Sequence, residues 1–127
     1  MNETVAEWVS KAEGDWRVAN REFLAEDNPN FDAVCFHAQQ CIEKLMKGLL
    51  IDKGVIPPKT HSLIALNHLL MSTLPSWSAD IEDLRLLTYA AREFRYPGET
   101  ASRTFTESCL QAAAPLRDRL LKLVAAE

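Results

Sequence analysis

The chain of 127 residues is poor in several things at once. It contains no run approaching 18 apolar residues, no glycine-rich phosphate loop, no serine elbow and no stretch with a strand pattern. The first absence excludes a membrane-spanning helix, so no membrane association is expected. The missing glycine loop and elbow remove the common frameworks for phosphate cradling and serine nucleophiles. With no alternating segment, helices are left to build the fold. Basic residues are also short: 14 Lys and Arg against 18 Asp and Glu give a net charge of −4. That balance argues against a general nucleic-acid coat binder while leaving room for a local basic site. The opening MNETVAEWV has no basic stretch followed by an apolar run, so no signal peptide is expected. Cys35, Cys41 and Cys109 are odd in number and all fall in helical pattern. Buried, reduced thiols in a cytoplasmic protein are the simplest account.

What the sequence does have is helical periodicity, and its length suits one domain over residues 1–127. Thr4 and Glu7 are spaced as a capping box, and Val5, Trp8, Val9, Ala12, Trp16, Ala19 and Phe23 then hold one face. Asn30 suits the N-cap of a second helix that Gly54 ends. Pro57 and Pro58 impose an extended loop. His61 and Ser62 open a short third helix, and a fourth is expected from Ser78 to about Arg95, stopped by Pro97 and Gly98. The last helix runs from about Ala101, with Pro115 predicting a kink or a split near residues 111–115. The expected fold is an all-α, antiparallel up-and-down four-helix bundle with one additional short helix.

Its centre is the stretch from Phe31 to Gly54. Val34, Ala38, Cys41, Ile42, Leu45 and Leu49 share a broad apolar arc. His37, Gln40, Lys44 and Lys47 form a polar stripe beside it, and Phe36 and Leu50 lie on the remaining side with Gln39 and Glu43. A helix claimed by the core on one side and by something else on another is the element the rest packs around.

CFHAQQCIEKLMKGLL (35–50), PPKTHSL (57–63) and FRYPG (94–98) resemble the HEPN domain proteins, and AEWVSKAEGDWRVA (6–19) is similar to that family's first helix. The resemblance implies an up-and-down bundle with a short extra helix, commonly a homodimer. It also implies nucleotide or RNA binding, often beside a minimal nucleotidyltransferase. The family's ribonucleases carry an arginine followed a few residues later by a histidine near the start of the last helix. Here the last histidine is His68, so Arg92, Arg95 and Arg103 have no such partner. A metal-independent ribonuclease needs an acid or base titrating near neutrality, which imidazole usually supplies. The resemblance therefore carries fold and partners but not ribonuclease activity. The alternatives are an RNA-binding protein or a ribonuclease that uses His37 or His61 instead, or a purely structural interaction module, and no cofactor is expected.

Two surfaces follow. His37, Gln40, Lys44 and Lys47, facing Arg92, Arg95 and Tyr96 of the fourth helix and its turn, would make a pocket for a nucleotide or other phosphate-bearing ligand. The plainer account has Arg95 and Tyr96 pinning the turn while the stripe stays solvated. Glu43 and Lys47 are expected to form an ordinary surface pair, and His61 to cap or pack against a loop. Cys35, His37 and Cys41 point to different sides of a helix, so no metal site is expected, nor any catalytic residue. Phe36 and Leu50, with Trp77 in a connector, are the expected apolar anchors of a dimer. The alternative is that the third and last helices cover them within one subunit.

Overall fold

The computed structural model describes residues 1–94 and 96–126, and Arg95 therefore lies outside the described residues. Among them the chain forms α1 (Glu3–Phe23), α2 (Phe31–Asp52), α3 (Leu63–Thr73), α4 (Ile81–Glu93) and α5 (Arg103–Ala125), and no strand. Each helix begins at a short polar residue whose side-chain oxygen accepts from a backbone N–H just inside the helix. The five are Asn2, Asn30, Ser62, Asp80 and Ser102.

Two of these caps differ from the sequence expectation. Asn2 Oδ1 accepts from the Val5 amide at 2.8 Å, so α1 has already started before Thr4. At α4 the cap is Asp80 rather than Ser78, because the Ser78 carbonyl accepts from Arg119 of α5 and holds the chain outside the helix. The α2 C-terminus agrees with expectation. Val55 N–H reaches the Leu50 carbonyl at 2.9 Å and Gly54 N–H the Ile51 carbonyl at 3.0 Å, with Gly54 at φ +80°. That is a Schellman closure, and glycine accepts its left-handed backbone without steric cost.

Pro115 does not split α5, which runs unbroken past it. Gln111 and Pro115 both lie on the exposed face, so the carbonyl that proline leaves unpaired is on the side where water can reach it.

α2 packs against all four other helices. From Leu45 to Leu50 every residue is buried, so this part of the helix has no water-facing side. Leu50 is fully buried within its own chain and offers nothing to a second copy, a correction to its expected interface role. Trp77 is likewise buried: its Nε1 donates to Asn67 Oδ1 at 2.8 Å and the Arg119 guanidinium lies 4.4 Å over its ring. α1 comes close to α2 at Gly48, where an added Cβ would stand 3.1 Å from Trp8 Cβ. Arginines of α5 then tie the outer helices down. Arg103 sits about equally over Phe23 and Phe31, at 5.2 and 5.0 Å, and Arg117 stacks on Trp16 at 5.3 Å while pairing with Glu13.

A candidate ligand cleft between α2 and α4

Gln39, Glu43 and Lys47 repeat every four residues and so rise along one side of α2. The structure buries this ladder, where the sequence suggested a surface pair. Burial of an unpaired charge would be prohibitive, and the ladder is satisfied throughout. Lys47 Nζ donates to Glu43 Oε2 at 3.0 Å, and Gln39 Nε2 donates to Glu43 Oε1 at 3.1 Å. His61, just ahead of α3, brings Nδ1 to 3.1 Å from both Glu43 oxygens. Burial alone would push the Glu43 carboxyl up. The hydrogen bonds from Gln39, Lys47 and His61 outweigh it and hold the group below its ordinary value.

An ionised carboxylate only accepts, so the His61 nitrogen facing it carries the hydrogen. The His61 side chain is 84% exposed while that of Glu43 is 4% exposed. The imidazole is thus fixed at its root by a buried charge and presents its Nε2 edge outward. His61 is not the cap of α3; Ser62 is.

Above the ladder lies a cleft of about 470 Å³ between α2, α4 and the start of α3. Phe36, Gln39, Gln40, His61, Thr88 and Arg92 are among its walls. Gln40 Nε2 donates to Gln39 Oε1 at 2.8 Å. The Thr88 hydroxyl oxygen is buried and, among the described residues, has no hydrogen-bond partner. The cleft has the size of pockets that hold small organic ligands.

The expected site residues divide among several places. Gln40 and Arg92 meet in this cleft. His37 lines an adjoining hollow that shares Phe36 and Ala91 with it, and its Nδ1 lies 2.8 Å from Asp15 Oδ1 of α1. Lys44 donates to the other oxygen of Asp15 at 2.6 Å and faces Glu7, Trp8 and Lys11 on the α1 side, away from the cleft. Lys47 is buried on Glu43. Tyr96 is exposed and flanks a hollow with Arg92, Pro97 and Glu99. The stripe of four therefore does not act as one surface: its lower half is neutralised by Asp15 and Glu43, which periodicity did not connect to it. Phe36 is half-buried and walls the cleft. The Cys41 thiol is pushed up to about 12, first by burial and then by the charge of Glu13, so it stays protonated at neutral pH.

A family model for the HEPN domain matches residues 5–123, nearly the whole chain. The chain belongs to the HEPN domain family. Two solved structures share its fold. The archaeal HEPN homologue ST0689 superposes with a TM-score of 0.68 at 23% identity, covering 98% of this chain and 99% of that one. TT1696 from Thermus thermophilus gives 0.76 at 22% identity, covering 97% and 99%. Identities this low speak for the fold alone. The comparison with curated proteins gives no match. No helix among the described residues is long and apolar enough to cross a membrane.

Proposed function

We propose that this HEPN domain is a non-catalytic binding module whose α2–α4 cleft takes a nucleotide-type ligand. The observation that carries this reading is the meeting of Arg92, His61 and Gln40 around one cavity of about 470 Å³ with the Phe36 ring as a wall. Arg92 is exposed and has no protein partner among the described residues, which leaves its planar fork free for phosphate. Phe36 supplies a face on which a base stacks, a contact worth about 1–3 kcal/mol. Tyr96 stands next to Arg92 at the rim, and His37 extends the groove at the far side of Phe36.

Calorimetry with a panel of nucleoside monophosphates tests this. Saturable binding, weakened about tenfold or more in Arg92→Ala with helicity unchanged, is expected. No heat from any nucleotide at millimolar concentration, with the protein folded, refutes it.

The family adds two expectations about partners: a second copy of the chain and a minimal nucleotidyltransferase. Phe36 remains the anchor for the former, now without Leu50. Light scattering that finds a monomer in the unmodified protein excludes the dimer. Failure of the nucleotidyltransferase to copurify on co-expression excludes the complex.

A ribonuclease reading has one observation in its favour, the imidazole of His61 fixed by the Glu43 carboxylate as a general base would be. Labelled RNA left intact by the pure protein removes that reading. Cleavage lost in His61→Ala and Arg92→Ala would establish it instead.

A further inference from the structure

The hydrogen bonds beneath the cleft have a fixed direction. Glu43, ionised and buried, only accepts, so the Gln39 amide must turn its Nε2 toward it. The same Nε2 also donates to the His61 carbonyl at 3.3 Å, a second acceptor that admits no other orientation. Gln39 Oε1 is thereby left facing Gln40, whose Nε2 must donate to it. The end of the chain is Gln40 Oε1, an acceptor with no protein partner among the described residues. One buried negative charge thus sets the polarity of a group two side chains away, in the wall of the cleft.

We infer that Gln40 is the specificity-determining residue of the cleft and selects nucleotides whose base carries an exocyclic amino group. The inference rests on the nucleotide reading of the cleft given above. An adenine or cytosine edge offers an amino donor beside a ring-nitrogen acceptor. Gln40 Oε1 meets the first. The second calls for a donor, and Thr88 is the side chain in the same wall with an uncommitted hydroxyl. Threonine in a helix divides between two χ1 rotamers, and the ligand-bound state would use the one that turns this hydroxyl to the cavity. Hypoxanthine and uracil present a carbonyl in place of the amino group. Against Gln40 Oε1 that sets acceptor against acceptor, and the mismatch leaves both groups unpaired.

The test compares ligands equal in charge and shape: AMP with IMP, and CMP with UMP, with ribose 5-phosphate as the baseless control. AMP and CMP are expected to bind at least about tenfold more tightly than their oxo counterparts, the worth of one matched hydrogen bond. Gln40→Met should erase that ratio, AMP and IMP then binding alike. Glu43→Gln, where it folds, should shrink the ratio because a neutral amide no longer dictates the direction of the relay. Equal affinity for AMP and IMP, both tighter than ribose 5-phosphate, overturns the inference and leaves the nucleotide cleft standing. Ribose 5-phosphate binding as tightly as AMP, or absence of any binding, takes both away.

Discussion

The buried pair of Glu43 and Lys47 makes a quantitative prediction through a double-mutant cycle. Glu43→Gln keeps shape but leaves the Lys47 ammonium, itself almost without exposure, facing a neutral amide. Removing one partner of a buried pair costs about 3–5 kcal/mol when the survivor has no other support. Lys47 has no other hydrogen-bond partner among the described residues, so Glu43→Gln should fall within that range. Lys47→Met leaves Glu43 with the Gln39 and His61 donors, so its cost should be smaller, about 1–3 kcal/mol.

The double variant leaves no buried charge in the ladder and should cost less than the sum of the two by about 1–3 kcal/mol. Urea unfolding followed by circular dichroism, with equal m-values across the four proteins, gives each difference. Additivity within about 0.5 kcal/mol would mean that the two groups do not interact as described, and the argument from burial would fail.

Acid stability follows from the same carboxylate. Its folded pKa lies below the ordinary 4.5, so it adds stability above about that pH and loses it as pH falls through the depressed value. Glu43→Gln should therefore show a flatter acid limb in pH-dependent melting, and an unchanged limb contradicts the assignment. Gly48→Ala, which in an open helix would stabilise by roughly 0.5–1 kcal/mol, should here destabilise, because the new methyl meets Trp8 at its unyielding Cβ. A rise in melting temperature would show that α1 moves away freely. Arg103→Ala should cost about 1–2 kcal/mol in urea unfolding by removing two aromatic contacts that fasten α5 to the α1–α2 turn, and a value near zero refutes their contribution.

The bundle was legible in the sequence because its signals are local. Periodic apolar faces, Asn30, Ser62, Gly54 and the two proline loops each act within a turn or two of where they stand. The errors at Thr4 and Ser78 are of the same local kind. There two polar residues compete for one cap, and at Ser78 a contact elsewhere in the fold, Arg119 on its carbonyl, decides between them.

The site was legible only in part, for a different reason. Gln40 and Arg92 could be named as polar residues on adjoining helices, but whether a charge is free depends on what lies opposite. Asp15, 29 residues from Lys44 in sequence, takes that lysine, and His61 reaches Glu43 across 18. Periodicity reports which way a side chain leaves its own helix and says nothing of a carboxylate arriving from another. The ladder Gln39, Glu43, Lys47 did carry a warning: a carboxylate flanked by an amide and an ammonium at successive i,i+4 steps, on the side shared with Phe36 and Leu50, is a set that satisfies itself when buried. On that pattern the stripe beside it loses Lys47 to the interior. On the proposed reading, what remains for a ligand is the narrower group of Gln40, His61 and Arg92, and the buried carboxylate sets the polarity of the first two from below.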